Sequence, residues 1–389
     1  MKATDHSKKE PLFHIVKRDN LSAKKKIALY AGAIFLGLLV GGIICSLFST
    51  QNPITFFVSL FSGAISTSRR IWLLLQGTAL LLGVSLALAP AFRMKFWNLG
   101  GNGQILMGCL TYVAAMFYLQ EKLPGFVVML IGLVGGVVMG AVWALIPALF
   151  KAFFNTNESL FTLMMNYIAS GLVAMFITLW VKTGSGILEP IGYGNIPDVG
   201  NRYLLTVLVF FLLAGLMYVY LKYSKQGYEI SVVGESNNTA KYIGINVKRV
   251  IIRTMAISGA MAGLVGVFIG GAVDHTVTTG SASNMGFTAI MTAWLASFDP
   301  LVMIASCFFI TFVSKGMTQV RKDFKFTNDA IANIVIGVIY FSVIAVTFFL
   351  SYKVVFRDGA FDGAKAFFGK VKGLFKKKTV AKDEKEDEA

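Results

Sequence analysis

Tyr223–Val250 reads YSKQGYEISVVGESNNTAKYIGINVKRV and is the longest polar interruption between apolar runs of membrane-spanning length. Four basic residues lie in it, at positions 225, 241, 248 and 249, together with several small residues. Six long apolar runs precede this stretch and four follow it. A polar, basic loop in this place is typical of the cytoplasmic face of a membrane protein. We therefore expect Tyr223–Val250 to meet a cytoplasmic partner.

The composition excludes an ordinary soluble protein. Of 389 residues, 56% are hydrophobic and only 14% are charged, and the mean hydropathy is +0.68. An α-helix needs about 20 apolar residues to cross a bilayer, and ten runs approach or reach that length. The sequence thus predicts an all-α, polytopic membrane protein with about ten transmembrane helices. The predicted runs are 27–48, 71–89, 96–119, 126–147, 159–181, 203–221, 251–273, 286–298, 301–314 and 330–352.

The net charge of +16 lies in the tails and connecting loops rather than on a compact basic face. This distribution favours the basic excess of inner-face segments over nucleic-acid binding. The three cysteines fall inside apolar runs without CxxC spacing, and the three histidines form no ligand cluster. We therefore predict no metal and no cofactor.

The chain divides into three predicted parts. Residues 1–26 form a basic N-terminal segment on the cytoplasmic side, and residues 27–352 form the transmembrane domain, with 53–67 as an outer interfacial segment. Residues 353–389 form a cytoplasmic tail that is amphipathic and then disordered. Alternation from an inside N-terminus places 223–250 and the C-terminus in the cytoplasm, as expected for a multi-pass protein of the cell membrane.

One basic connection does not fit this alternation. Arg321, Lys322 and Lys325 come out on the outer side, against the usual bias of basic loops. Either the 286–298 run is a half-span that does not cross, or the charge of this short loop is overridden. Both alternatives stay open at the level of sequence.

Two absences concern the source of energy. The apolar interiors of the runs contain no Asp, Glu, Lys or Arg, and Glu158 and Lys315 stand at run ends. Proton-coupled carriers normally keep ionisable groups at membrane depth, so their absence disfavours a proton-driven transporter, although sodium coupling remains open. The chain also lacks the GxxxxGK[ST] phosphate loop. If the protein pumps, another subunit must supply the energy, and the 223–250 loop is the expected entry point.

The first polar cluster at membrane depth is Trp97–Gln104, WNLGGNGQ. Its glycines resist regular helix, and irregular backbone at membrane depth is tolerated only where it is packed in protein or faces water. Asn98, Asn102 and Gln104 are therefore candidates for a polar substrate pathway. The alternative, that they cap a helix start and hold a neighbouring helix, is equally open.

The second polar cluster is Asn155–Ser159, NTNES, which predicts a helix N-cap at Asn155 or Thr156, with Glu158 favoured by the dipole near the helix start. Four polar residues of that helix recur every four positions and so share one helix face. These residues are Glu158, Thr162, Asn166 and Ser170. We favour a stripe along the substrate pathway, with Tyr167 beside it, over simple interhelical hydrogen bonding.

The third cluster is Gly270–Gly286, GGAVDHTVTTGSASNMG, which is rich in hydroxyl groups. It predicts a loop or a re-entrant hairpin near the outer mouth. Asp274 and His275 suggest an acid–base pair, but nothing nearby completes a catalytic set. We predict that the chain is not an enzyme.

Four motifs in order resemble a known family. WNLGGNGQILMG, NESLFTLMMNYIA, GYEISVVGESNNTAKYIGINV and ISGAMAGLVGVFIGGAV together resemble the permease subunit of bacterial ABC importers. The resemblance covers residues 70–350 and is to the branched-chain amino acid and monosaccharide permease superfamily, in its nucleoside branch. Asn98 and Gln104 match that branch's NIGxEGQ motif, whereas Asn102 stands where Glu is common. Asn157, Glu158 and Asn166 match its NExxxTLMxNYIA motif.

The resemblance implies a type II importer-like permease that moves nucleosides with energy from a separate ATP-binding subunit. It also implies a second related permease and an extracytoplasmic solute-binding protein, often a lipoprotein. In the family, the cytoplasmic loop that contains the motif VGxNxxAAxYAGI docks on the ATPase. The matching residues here are Gly234, Glu235, Asn237, Ala240, Tyr242 and Gly244.

Two other functions remain as alternatives. A permease for monosaccharides such as ribose belongs to the neighbouring branch of the same superfamily. An ion-coupled secondary carrier would instead transport without any ATPase.

Overall fold

The computed structural model of the chain describes residues 13–17, 23–49, 51–181, 186–326 and 330–356. Most of the predicted N-terminal segment and nearly all of the predicted amphipathic tail lie outside these residues. The described helices are α1 (Ala23–Leu47), α2 (Pro53–Ile65), α3 (Ser68–Arg93), α4 (Gly101–Leu119), α5 (Gly125–Phe154), α6 (Glu158–Trp180), α7 (Leu204–Tyr223), α8 (Lys225–Glu235), α9 (Asn237–Tyr242), α10 (Val247–Phe268), α11 (Met285–Leu295), α12 (Pro300–Asp323) and α13 (Ala330–Ser351). The predicted all-α class is confirmed.

Eight of the described helices are long and apolar enough to cross a membrane: α1, α3, α4, α5, α6, α7, α10 with the turn that follows it, and α12. Shorter apolar helical stretches are Pro53–Ile65, Met285–Leu295 and Asn333–Val346. Several of the eight keep a broad apolar face outward; in α5, for example, Phe126, Val134 and Val138 are exposed. Such faces suit a hydrocarbon environment, in which exposed apolar side chains carry no penalty.

The first and last described parts of the chain, residues 13–17, 23–40 and 338–356, belong to one compact unit. Within it, strand β1 (Phe13–Lys17) pairs antiparallel with strand β2 (Tyr352–Phe356), and Phe13 lies opposite Phe356. This two-stranded ribbon joins the segment before α1 to the segment after α13.

The second unit, residues 41–337, contains the remaining helices around an interior made of α3, α4 and α10. Glycines bring α4, α5 and α10 into backbone contact. A Cβ atom on Gly108 or on Gly140 would overlap the backbone of Gly263 on α10. Small residues permit such close helix approach where lipid supplies no hydrophobic force between helices. The result is a tightly packed centre on which the polar segments described below are mounted.

Helix α12 corrects one sequence-based placement. The predicted run ended at Ser314 and left Lys315 at its end, whereas the helix continues to Asp323. The continuation is stabilised because Gly316, Met317 and Val320 recur at helical spacing and are buried. Lys315 therefore lies inside a membrane-length helix.

Helix α11 is short. Its 11 residues span about 16 Å at 1.5 Å per residue, well short of the roughly 30 Å hydrocarbon core. Helix α11 alone is therefore too short to cross the hydrocarbon core.

Candidate functional site

The turn between α3 and α4 is organised by Asn98. Its side chain is fully buried, and its Oδ1 accepts hydrogen bonds from the Gly100 N–H at 3.0 Å and from Gln104 Nε2 at 3.2 Å. Its Nδ2 donates to Ser258 Oγ of α10 at 3.2 Å. Regular helix begins only at Gly101. Asn98 and Gln104, predicted for the substrate pathway, thus lie in a closed network that fixes this turn.

Helix α6 is clamped onto the same turn by two buried side chains. Asn166 Nδ2 donates to the Leu99 carbonyl oxygen at 2.8 Å, and Asn166 Oδ1 accepts from the Gly103 N–H at 2.7 Å. Thr162 Oγ1 accepts from the Leu99 N–H at 3.1 Å. The two Asn166 bonds satisfy backbone groups that the irregular turn would otherwise leave unpaired.

The start of α6 is stabilised locally. Asn157 caps the helix by accepting the Leu160 N–H at 3.1 Å. Glu158 in the first turn pairs with Lys151 at 2.8 Å. Asn157 and Glu158 therefore serve the helix terminus, and neither belongs to the cavity described next.

The N-terminus of α11 rests on the N-terminus of α4. The Gly286 N–H donates to Asn102 Oδ1 at 2.8 Å, and a Cβ on Gly286 would lie only 2.6 Å from the Asn102 backbone nitrogen. Asn102 is nearly buried, and among the described residues its Nδ2 has no acceptor. That amide group remains available to a ligand in the adjacent space.

That space is a cavity of about 370 Å³ between α4, α6, α11 and the loop that leads into α11, here called the central cavity. Its polar lining is made of amide and hydroxyl groups, and no residue of the lining is ionisable at neutral pH. The lining residues are Asn102, Leu106, Leu163, Asn166, Tyr167, Ser170, Thr279, Gly280, Ala282, Ser283, Asn284 and Phe287. Of the predicted pathway residues, Asn102, Asn166 and Tyr167 line this cavity, whereas Asn98, Gln104, Asn157, Glu158 and Thr162 do not.

The pathway residues predicted from the sequence did not include the other half of the cavity lining. Thr279, Ser283, Asn284 and Phe287 come from the loop and first turn before and within α11. The signal was present in the hydroxyl-rich Gly270–Gly286 stretch, which had been interpreted only as an outer loop or hairpin. Ser170 belongs to the polar stripe of α6, and it lines the cavity beside Tyr167.

A second cavity of about 300 Å³ lies between α3, α11 and α12 and shares Ser283 with the first. Asp274 and Lys315 both border it, but they form no ion pair with each other. Desolvation by the surrounding protein raises the pKa of the Asp274 carboxyl group, and the charge of His275 partly opposes this shift.

The 223–250 loop is a pair of short capped helices. Ser224 begins α8 by accepting the Gly227 N–H at 3.0 Å, and Ser236 begins α9 by accepting the Thr239 N–H at 3.3 Å. Gly244, with a φ of 83°, ends α9: its N–H donates to the Lys241 carbonyl, and the Ile245 N–H donates to that of Ala240. Such a Schellman arrangement stops a helix sharply.

Two small residues anchor this loop to the membrane helices. Gly234 lies directly against the end of α3, where a Cβ would overlap the carbonyl oxygen of Arg93, and Ala240 is fully buried. Arg253 at the start of α10 pairs with Glu229 of α8 at 3.0 Å. At the far end, Tyr242 is 90% exposed and Ile243 is exposed beside it.

Comparison with known proteins gives the same assignment for most of the chain. The family described as the permease component of branched-chain amino acid transport systems matches residues 68–352. The nucleoside ABC transporter permease protein NupB of Lactococcus lactis is 26% identical over 85% of this chain and 92% of its own length. The guanosine ABC transporter permease protein NupP of Bacillus subtilis is 30% identical over 71% of this chain and 81% of its own length.

Relatives with sugar substrates also match. The glucose ABC transporter permease protein TsgB13 of Haloferax volcanii is 24% identical over 82% of this chain and 88% of its own length. Members of the family are transport components without a catalytic domain. On its motifs, its helices and its extended match, the chain belongs to the permease components of branched-chain amino acid transport systems and is a multi-pass membrane permease of an ABC importer.

Proposed function

We propose that this permease imports nucleosides, which pass through the central cavity. The carrying observation is the chemistry of the lining, which offers amide and hydroxyl groups and two aromatic rings but no charge. A nucleoside is uncharged, its ribose hydroxyls both donate and accept hydrogen bonds, and its base has a flat apolar face. Asn102, Asn166 and Ser170 provide matching polar groups, and Tyr167 and Phe287 provide aromatic surface. The descriptions of NupB as a nucleoside permease and of NupP as a guanosine permease support the same substrate class.

The size of the cavity is compatible with this substrate class. Small-molecule sites usually measure about 300–1,000 Å³, and the central cavity measures about 370 Å³. Free α-amino acids carry two opposite charges, for which this lining offers no ion-pair partner. The cavity therefore favours a neutral solute over leucine or its analogues.

A monosaccharide is the second candidate. TsgB13 is described as a glucose permease, and sugars also bind amides, hydroxyls and aromatic rings. The two candidates differ in the base, because only a nucleoside gains from a second flat apolar group. Transport that depends on the base as well as on the sugar would distinguish them.

The proposed energy source is a separate cytoplasmic ATP-binding subunit that docks on the α8–α9 segment. Gly234 and Ala240 anchor that segment, while Tyr242 offers an exposed ring to a partner. Glu235, Asn237 and Gly244 are exposed on the same segment. A second related permease and an extracytoplasmic solute-binding protein complete the proposed importer, with both termini of this chain in the cytoplasm. Alternation of the two permeases between outward and inward states would move the solute.

The test is ATP hydrolysis by the assembled importer. The chain is co-purified with the products of its neighbouring genes, and turnover is measured with adenosine, uridine, ribose and leucine. We expect stimulation by at least one nucleoside and none by leucine. If free ribose stimulates ATP hydrolysis as strongly as the nucleosides do, the sugar permease is favoured. If no ligand stimulates hydrolysis by an assembled complex, both candidates are overturned.

A pair of variants on α6 tests the cavity itself. Ser170→Ala removes a hydroxyl from the cavity lining. Thr178→Val removes one that is exposed and already bonded to its own helix, at the Ala174 carbonyl. We expect the first to raise the nucleoside concentration needed for half-maximal uptake by several-fold, and the second to leave it unchanged. Equal effects would remove the cavity from the proposal.

A further inference from the structure

A third cavity lies on another side of the protein, where α2 ends, α3 begins and α12 ends. It measures about 240 Å³ and is here called the basic cavity. Three of its lining residues are cationic, Arg70, Lys315 and Lys322, and none is acidic. Thr318 and Gln319 supply additional polar groups. No part of the transport proposal uses this site.

Arg70 is held in place by neutral groups. Its Nη1 donates to the Ser62 carbonyl oxygen at 2.7 Å, and its Nη2 donates to Gln319 Oε1 at 2.9 Å. The charge of this guanidinium is therefore oriented but not neutralised by a direct carboxylate contact.

The acidic group nearest in the network is already occupied. Asp323 accepts Ser59 Oγ–H at 2.6 Å on one oxygen and Gln319 Nε2–H at 2.8 Å on the other. It does not line the basic cavity, and Gln319 stands between it and Arg70. Among the described residues, neither Lys315 nor Lys322 forms an ion pair. Asp274, which borders the neighbouring cavity together with Lys315, is likewise not paired with it.

Like charges gathered around one cavity repel each other, and the repulsion is stronger where solvent is partly excluded. The usual reason for basic residues at helix ends, a cytoplasmic location, fails here. Alternation along the sequence places the start of α3 on the outer side, where the bias runs the other way, and the Arg70–Gln319 bond holds the end of α12 beside it. An anionic ligand would account for the cluster.

We propose that the basic cavity binds a phosphate group, either of an anionic phospholipid head group or as free inorganic phosphate. Arg70 provides a preorganised planar donor, and the two lysines provide flexible point charges, a combination suited to phosphate oxygens. The adjoining helices also carry apolar surface. Phe61 of α2 is 53% exposed and contacts Phe312 of α12, with ring centroids 5.2 Å apart. If the phosphate belongs to a lipid, an acyl chain would pack against these two rings.

The experiment uses the full chain purified in a neutral detergent and binding measured by native mass spectrometry. The ligands are dioctanoyl phosphatidylglycerol, dioctanoylglycerol, which has the same chains without phosphate, and inorganic phosphate. We expect retention of the phosphatidylglycerol, of inorganic phosphate or of both, and no retention of dioctanoylglycerol. Binding of phosphatidylglycerol without inorganic phosphate identifies a lipid site, and the reverse identifies a site for the free ion. Equal retention of dioctanoylglycerol, or no binding of either phosphate compound, would overturn the proposal.

Variants locate the site. Lys315→Gln combined with Lys322→Gln removes two cations of the lining, and Arg69→Gln removes an exposed cation next to Arg70 that does not line the cavity. We expect the double variant to bind at least about tenfold more weakly, a change of about 1.4 kcal/mol, because two cationic donors to the phosphate oxygens are lost. Arg69→Gln should bind as the parent protein does. If the double variant does not fold, the exposed single change Lys322→Gln replaces it. Unchanged binding in the folded double variant, or in Lys322→Gln where it replaces that variant, would contradict the assignment to this cavity.

Discussion

Two polar regions of this permease, the Trp97–Gln104 turn and the α8–α9 segment, use their side chains in opposite ways. In the turn, buried side chains reach across to other helices: Asn98 bonds to Ser258 of α10, and Asn166 bonds to the backbone of Leu99 and Gly103. In α8–α9, Ser224 and Ser236 bond to backbone groups no more than four residues away.

The difference separates two mechanical roles. Bonds between helices tie the turn to α6 and α10, so the wall of the central cavity moves only if several helices move together. Local caps instead stabilise α8–α9 as a module, which Gly234, the buried Ala240 and the Arg253–Glu229 pair attach to the membrane helices. In the proposed importer, a rigid cavity wall and an α8–α9 segment that moves as one piece would transmit work between the cavity and the ATP-binding subunit.

The strongest test of the rigid side is Asn166→Leu. The change removes the amide group of Asn166, which is the hydrogen-bond partner of the Leu99 carbonyl and of the Gly103 N–H. Each unsatisfied group costs about 1–3 kcal/mol, so we expect a loss of about 2–6 kcal/mol in the free energy of unfolding. Unfolding of the purified chain in detergent measures it, with Thr178→Val as the control on the same helix. Equal stability of the two variants would contradict the clamp.

Gly234→Ala tests the attachment of the module. The added methyl group would overlap the Arg93 carbonyl oxygen, and overpacking of this kind costs about 1–3 kcal/mol. We expect normal insertion into the membrane but uptake at least several-fold lower at unchanged ATP hydrolysis, because the α8–α9 segment is displaced. Gly215→Ala on α7 is the matched control, since a Cβ there meets nothing within 4 Å. Normal uptake by Gly234→Ala would show that this contact does not couple the two parts.

Tyr242→Ser tests the outward face of the module. The side chain is 90% exposed, so its loss should leave the unfolding free energy unchanged. Burial of a large apolar side chain in a partner contributes about 1.5–3 kcal/mol, and we therefore expect roughly tenfold weaker association with the ATP-binding subunit. Tyr242→Phe should restore most of the association because it keeps the ring. Undiminished co-purification of the ATPase with Tyr242→Ser would place the docking surface elsewhere.

The smallest effect is expected at the Arg253–Glu229 pair. Both side chains are partly exposed, at 26% and 18%, and pairs of this kind contribute at most about 1 kcal/mol. Glu229→Gln should lower the unfolding free energy by no more than that, and the difference should shrink in salt of about 1 M, where charges are screened within about 3 Å. A larger loss that salt does not reduce would show that the pair acts through packing instead.

Much of the fold could be predicted because its signals are local. The apolar runs are read from neighbouring residues, and the structure contains the corresponding helices. The N-cap of α6 was expected at Asn155 or Thr156 and is Asn157, because Asn155 instead ends α5 in the left-handed conformation. The family motifs likewise lie in continuous stretches. The end of α12 was missed because its last turns are held by packing at Gly316 and Val320 rather than by a continuous apolar run.

The sequence by itself therefore determined the class of protein and the order of its helices. Only the tertiary structure decided which polar residues face the central cavity and which close on themselves. Asn98 and Asn102 are four residues apart and alike in chemistry. The side chain of Asn98 forms hydrogen bonds with Gln104 and Ser258, whereas that of Asn102 accepts one from the Gly286 N–H, 184 positions further along the chain. Hydrogen-bond partners at such separations are set by helix packing, which residue spacing along one helix does not encode.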